Sequence, residues 1–463
     1  MKRTVYVYHT NDVHSHFEYW PKISRFLWEQ RQKHEKRNET MLLFDIGDFI
    51  DRFHPITEAT RGKANVDLLN ELHYDAVTIG NNEGITLDYN ELDTLYENAR
   101  FPVLVANLFK KDGTRPSWAH PYCIIPISDT LRVGVIGVTA YFTKSYELLG
   151  WKVTTPFAML ADIAAEVKKQ ADLVILLSHL GIYDDEKIAQ TIPEIDIILG
   201  GHTHHLLPEG KRINDTLLCG AGKYGKFIGV VKLEIEESDH TYEALATVVD
   251  VESFPDSEQM RRTLSLLEKQ SLKKLESEQV VELKEDLPLQ WFSPSPFAKL
   301  LASALKEWCD AEIGMVNAGV LLEPLYKGMV TKKDLHRICP HPINPCKVQL
   351  RGAELKEIIL QANTERMKYL EFKGFGFRGK VMGQMVYDGV ELEMKSGKDG
   401  SEHIRRIMIN GEPLNPDQLY DVATIDMFTI GHFYPQIRRA PKKEYYMPEF
   451  LRDVLAWKLA NRK

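Results

Sequence analysis

Along the first half of the chain, short apolar runs recur, each bounded by polar residues or glycine. Residues 4–8, 41–44, 76–79, 133–138, 173–177 and 195–199 are apolar at most positions. Short runs of this kind, without strict alternation, read as strands buried on both faces. Residues 159–170 carry a helical period instead. Their apolar side chains gather on one face, and Lys168 and Lys169 lie near the C-terminal end, where cations suit the helix dipole. Residues 22–37 form a basic helix with a solvated face. Residues 220–237 read as paired strands that close the domain. This alternation predicts an α/β domain over residues 1–250, a β-sandwich of two mixed sheets flanked by helices.

Phe254-Pro255-Asp256 breaks the pattern. From Ser257 to about Glu278 the chain is charged, contains leucines and lacks Gly and Pro, which predicts a helix of about six turns. It is expected to link two domains, with the linker at residues 251–280 and a smaller α+β domain at residues 281–463. A length of 463 residues agrees with two cores rather than one.

Composition narrows the partners. Hydrophobic residues at 44% and charged residues at 27% are those of an ordinary globular protein. With 58 basic and 66 acidic residues the net charge is −8, which argues against a nucleic-acid partner. No apolar stretch reaches transmembrane length, so no membrane partner is expected. Only Val5-Tyr6-Val7-Tyr8 separates Met1-Lys2-Arg3-Thr4 from His9, too little for a signal peptide. The odd number and irregular spacing of Cys123, Cys219, Cys309, Cys339 and Cys346 suit reduced thiols. Both features predict a cytoplasmic protein.

The chemistry lies at the ends of the apolar runs. Asp12-x-His14, Gly47-Asp48, Gly80-Asn81-Asn82-Glu83, Ser178-His179, Gly201-His202 and Thr203-His204 each follow a predicted strand. Singly these motifs are weak, since Gly-Asp is most often a turn and a lone histidine a core residue. Together they supply Asp12, His14, Asp48, Asn81, His179, His202 and His204, converging on one sheet edge, where α/β proteins place their sites. Oxygen and nitrogen donors without thiolate suit two divalent cations, Mn, Zn, Fe or Mg. Asp12, His14 and His204 are assigned to the first, and Asn81, His179 and His202 to the second. Asp48, standing alone between the groups, bridges them. Two cations so placed offset phosphate charge and hold a nucleophile in line.

The order of these motifs resembles the calcineurin-like metallophosphoesterases. Asn11-Asp12-Val13-His14-Ser15-His16 and Gly200-Gly201-His202-Thr203-His204 narrow the resemblance to the 5′-nucleotidase family. Asn317-Ala318-Gly319, Thr331-Lys332-Lys333-Asp334-Leu335 and Leu350-Arg351-Gly352-Ala353-Glu354-Leu355 resemble that family's C-terminal domain. The resemblance implies a phosphohydrolase acting on a small nucleotide, with the C-terminal domain binding substrate. It assigns Asn317, Phe377, Arg378 and Phe428 as substrate contacts, and Asn81, Asn82, Asp48 and His202 as catalytic. Three departures stand out. Asn82 replaces the family's histidine and Ile85 its supporting aspartate, leaving Asn82 to donate a hydrogen bond to the transition state. Leu322 replaces a substrate-gripping arginine. Gly431-His432-Phe433-Tyr434 stands where a Gly-Gly-Asp-Gly-Tyr stretch is usual. A non-nucleotide phosphoesterase, or a metal- and nucleotide-binding sensor with vestigial turnover, are the alternatives.

Two further patterns are set aside. The Gly374–Lys380 stretch mimics a phosphate loop, but Val381 stands where Ser or Thr is required and a strand-like run follows. Cys339, His341 and Cys346 offer only three zinc ligands, in a proline-rich loop.

Overall fold

A computed structural model describes residues 2–236, 238–239, 241–396 and 402–461. The chain forms two compact units that divide between Ser271 and Leu272. The division falls inside the helix Glu258–Ser277, the element expected at residues 257–278.

The N-terminal unit is a sandwich of two sheets. The seven-stranded sheet runs Tyr242–Asp250, Phe227–Glu236, Lys2–Thr10, Thr40–Asp45, Ala76–Val77, Val103–Leu104 and Ala119–His120. The six-stranded sheet runs Lys211–Ile213, Thr216–Cys219, Ile197–Gly200, Leu173–His179, Arg132–Thr139 and Tyr122–Pro126. Both are mixed. Lys2–Thr10 is parallel to Thr40–Asp45 and antiparallel to Phe227–Glu236. Leu173–His179 is parallel to both its neighbours.

Burial on two faces explains the unbroken apolar runs. Leu173, Ile175 and Leu177 enter one core with Val5, Val7, Leu42 and Phe44 of the other sheet. The intervening Val174 and Leu176 pack instead with Leu160, Ala164 and Val167 of the helix Phe157–Lys168, and with Ile188 of the helix Ile182–Thr191. The helix Trp20–Lys36 lies against Thr40–Asp45 and buries Ile23, Phe26 and Leu27.

Of the stretch expected as paired strands, residues 220–226 are not strand and Phe227–Glu236 are. Gly222 and Gly225 take φ of 70° and 68°, which breaks the extended backbone and makes the preceding stretch a turn. The strand Thr216–Cys219 before it escaped the sequence pattern.

The C-terminal unit has a five-stranded sheet, Met385–Asp388, Ile313–Asn317, Leu419–Ile425, Pro345–Arg351 and Lys443–Tyr445. Its core joins Val316, Val348 and Val422 to Leu301 and Leu305, Leu355 and Ile359, and Leu451 and Leu455. Those last three pairs come from the helices Pro296–Trp308, Gly352–Ala362 and Leu451–Ala460. A smaller antiparallel sheet is formed by Val390–Ser396, Glu402–Ile409 and Glu412–Pro413.

His341 is fully buried here. Its Nε2 donates to the Val320 carbonyl at 2.8 Å, and its Nδ1 accepts the Arg378 N–H at 2.9 Å. Both ring nitrogens are committed, so the loop between Cys339 and Cys346 offers no imidazole to a metal. The Gly374–Lys380 stretch leads to the strand Met385–Asp388 rather than to a helix, contrary to a phosphate loop. Among the described residues no helix is long and apolar enough to cross a membrane.

Candidate metal centre

The strands that carry the motifs end at one edge of the sandwich. Asp12 and His14 follow Lys2–Thr10, Asp48 follows Thr40–Asp45, and Asn81 opens the short helix after Ala76–Val77. His179 closes Leu173–His179, and His202 and His204 follow Ile197–Gly200. Asp12, His14, Asp48, His202 and His204 take φ of 51°, 50°, 50°, 69° and 59°. Left-handed backbone is uncommon outside glycine and concentrates at functional sites, where the surrounding fold enforces it.

Two glycines allow two of these loops to touch. A Cβ on Gly47 would lie 2.3 Å from the Gly80 nitrogen, and one on Gly80 would lie 2.1 Å from Asp48 Oδ1. Glu83, the last residue of its motif, ties the same loops together. Its carboxylate accepts the backbone N–H groups of Gly80 at 2.8 Å, Ile50 at 2.9 Å and Asp48 at 3.0 Å.

Two carboxylates lie at the centre. His14 Nε2, His204 Nε2 and His179 Nε2 stand 3.8, 3.3 and 4.0 Å from Asp12 Oδ1. Asp48 Oδ2 stands 3.6 Å from His14 Nε2 and 3.4 Å from His179 Nε2. Asp12, His14 and His204 form one group with the spacing of metal ligands, and Asp12, Asp48 and His179 a second. Burial alone would lower the His179 pKa, but the Asp48 carboxylate outweighs it and lifts the imidazole to about 10. Burial would likewise raise Asp48, yet the neighbouring imidazoles hold it below the ordinary carboxylate range. Such a cluster attracts positive charge.

The donor atoms fit cations. His179 Nε2 and Asn81 Oδ1 are buried and have no hydrogen-bond partner among the described residues. His179 Nδ1 donates to the Ile46 carbonyl at 2.7 Å, which fixes the tautomer that frees Nε2 for a metal. Asp12 is oriented by Asn11 Nδ2 at 2.8 Å and by the His202 N–H at 3.0 Å. His202 lies beside His179, with ring centroids 5.3 Å apart. Burial, with His179 adding to it, lowers its pKa to about 4, so it is neutral at pH 7.

Asn82 departs from expectation. Its Nδ2 lies 2.9 Å from His14 Nδ1 and donates to the Ile50 carbonyl at 3.0 Å, while its Oδ1 accepts from Asn81 Nδ2 at 3.1 Å. The amide is buried between His14 and Asn81 and cannot transfer a proton, so its place is that of a neighbour that positions these two residues. Asp51 joins it, with Oδ2 3.5 Å from His14 Nδ1.

The expected substrate contacts of the C-terminal unit fare worse. Phe377 is 3% exposed, and Phe372 and His341 stack on it with centroids 4.4 and 5.2 Å away. Phe428 is fully buried, edge-on to Tyr434. Neither offers a face to a nucleobase. Asn317 is also buried, its Nδ2 donating to the Met382 carbonyl at 2.8 Å. Arg378 is half-buried and turns one guanidinium nitrogen back to the Phe377 carbonyl at 3.4 Å. Near them Phe375 is exposed and lies edge-on to the half-buried Phe433, with centroids 5.8 Å apart. Sequence reasoning passed over Asn11, Asp51 and Glu83, although Asn11 and Glu83 lie inside the motifs.

Comparison with known proteins agrees with this geometry. The calcineurin-like phosphoesterase profile matches residues 5–206, and the profile of the 5′-nucleotidase C-terminal domain matches residues 278–433. A Bacillus subtilis protein described as the uncharacterized metallophosphoesterase YunD is 51% identical over 463 residues, covering 100% of both chains. A Thermus thermophilus 5′-nucleotidase precursor has a similar fold, with TM-score 0.60 and 20% identity, over 99% of this chain and 96% of that one. Haemophilus influenzae NAD nucleotidase also shares it, with TM-score 0.69 and 16% identity, over 99% and 96%. Calcineurin-like phosphoesterases use two divalent metals, which the donor set described above fits. The chain belongs to the 5′-nucleotidase family of calcineurin-like metallophosphoesterases and is a metal-dependent phosphoester hydrolase.

Proposed function

We propose that this hydrolase acts on nucleotides in the cytoplasm and favours phosphoanhydrides, such as nucleoside diphosphates and nucleotide sugars, over 5′-monophosphates. The buried amide at position 82 carries the reading, because an amide cannot transfer a proton. A monoester such as AMP must expel a sugar alkoxide, a strong base, and positioned proton donors typically contribute ~10²–10⁴-fold to such steps. The amide at position 82 has no proton to give up, and Ile85 is apolar. A phosphoanhydride releases a phosphate, a far weaker base that needs little help.

When bound, the two cations supply Lewis-acid charge to the phosphoryl group and lower the pKa of water. Asp12, His14 and His204 would hold the first and Asn81, His179 and His202 the second, with Asp48 shared between the groups, and Asn81 and His202 would also face the phosphoryl group. Nucleotide recognition draws support from the C-terminal domain and from relatives named as nucleotidases. The free cysteines suit a reducing compartment.

The burial of Phe377 and Phe428 favours a second reading, a non-nucleotide phosphoester substrate. One measurement separates them: kcat/KM for AMP, ADP, UDP-glucose and p-nitrophenyl phosphate, in the metal-loaded protein. ADP or UDP-glucose should exceed AMP. A wild type that prefers AMP sinks the anhydride proposal, and p-nitrophenyl phosphate turnover without nucleotide turnover selects the second reading.

A further inference from the structure

The turn after the strand Thr216–Cys219 is built against the metal ligands. Gly222, Tyr224 and Gly225 take φ of 70°, 64° and 68°. Glycine tolerates this, but a tyrosine there is a strained residue held by its surroundings. The ties are specific. Asn11 Nδ2 donates to the Gly222 carbonyl at 2.7 Å, the Ala221 N–H donates to Asn11 Oδ1 at 3.1 Å, and the Tyr224 N–H donates to the Asp12 carbonyl at 2.8 Å. The turn is thus fixed to the loop that carries Asp12 and His14.

This conformation lays the Tyr224 ring beside the centre. Its centroid is 5.9 Å from that of His14, 6.4 Å from His204 and 3.9 Å from His16. The Lys223 ammonium lies 4.7 Å from the centroid of the same ring. Among the described residues the Tyr224 hydroxyl has no hydrogen-bond partner and Lys223 has no carboxylate partner. A phenol donor and a cation, both held near a two-metal centre and both unused by the fold, are groups that bind phosphate oxygens. The chain also lacks the expected substrate-gripping arginine, Leu322 standing in its place.

We propose that Lys223 and Tyr224 form a substrate contact on the His14–His204 side of the centre, taking oxygens of a second phosphate group in a phosphoanhydride. This rests on the phosphohydrolase reading above and adds the residues that select a diphosphate. The lysine supplies charge and the phenol a neutral hydrogen bond, so neither needs to change protonation during turnover.

The test uses the full, metal-loaded chain and the near-isosteric variants Lys223→Gln and Tyr224→Phe. Metal content and Tm should match wild type. For ADP, kcat/KM should fall about tenfold in each variant, mainly through KM, the size of one charge-assisted hydrogen bond. The loss on p-nitrophenyl phosphate, with one phosphate, should be clearly smaller. Equal losses on both substrates, losses that track metal content, or no loss on ADP overturn the proposal. Calorimetry with α,β-methylene-ADP and AMP reads the contact without turnover. Wild type should bind the methylene analogue more tightly than AMP, and both variants should lose that difference. A wild type that shows no difference overturns the proposal as well. Should wild type bind the analogue in this way yet hydrolyse no phosphate compound, the hydrolase reading falls and the contact stands.

Discussion

Asn82 shows how much one amide can decide. It sits on the turn beside Asp48, its backbone N–H donating to Asp48 Oδ1 at 2.7 Å, and its side chain braces His14 from behind. Residues that orient a metal-bound histidine typically contribute about 10–100-fold to metal affinity or activity. We expect two cations per chain in wild type. Asn82→Ala should weaken both, the first about tenfold, since His14 and Asn81, one residue of each group, lose the neighbour that positions them. Asp48→Asn should weaken both at once, because Asp48 Oδ2 faces nitrogen ligands of both groups. Equilibrium dialysis with elemental analysis reads all three proteins together. An Asp48→Asn protein that keeps both cations at wild-type affinity removes Asp48 from its central place.

At the scale of elements, turns carry more of the structure's meaning than strands do. Five of the seven proposed ligands, Asp12, His14, Asp48, His202 and His204, ride on left-handed residues just beyond strand ends, where the backbone is free to turn its side chains inward. The loop from Cys339 to Cys346 uses a buried histidine for a different end, as an internal strut between Val320 and Arg378. Burial, with the Arg378 and Arg452 charges adding to it, lowers the His341 pKa to about 3. In the unfolded chain it returns to about 6.5. Between those values the unfolded state holds a proton that the folded state does not. Stability from this group is therefore full above about pH 6.5 and is lost as pH falls toward 3, by at most about 1.4 kcal/mol per pH unit. Denaturant unfolding between about pH 5 and 7, where most carboxylates stay ionised, reads the effect as the difference between wild type and a His341 variant, since His9, His54 and His202 add slopes of the same sign to both. His341→Gln should be less stable than wild type at neutral pH but show a flatter pH slope. An unchanged slope would falsify the linkage.

For the whole molecule, we expect the two units to divide the labour. All seven proposed ligands precede the helix Glu258–Ser277, and the exposed ring Phe375 follows it. A protein of residues 1–271 should retain both metals and cleave p-nitrophenyl phosphate, and should lose discrimination between ADP and inorganic pyrophosphate. Equal selectivity in this piece and in the full chain would show that the second unit does not read the substrate.

The sequence by itself determined the metal centre and the layered α/β architecture. Ligand chemistry is a matter of atom types, and these stand directly after runs whose unbroken apolarity marks buried strands. Both are local properties, legible from Asp12-x-His14 or Gly47-Asp48 with the run before them. The connecting helix was legible for the same reason, as a long stretch without Gly or Pro. Only the tertiary structure decided which polar and aromatic groups remain available. Asn82 reads as a donor in sequence and is buried against Ile50 and His14, residues far from it along the chain. Phe377 reads as a stacking ring and is covered by Phe372 and His341, leaving Phe375 exposed two positions away. Tyr224 reads as part of a paired strand until Asn11 and Asp12 are seen to hold it in a turn against His14. Availability depends on what other segments bring to a side chain, and that is a non-local property fixed by packing.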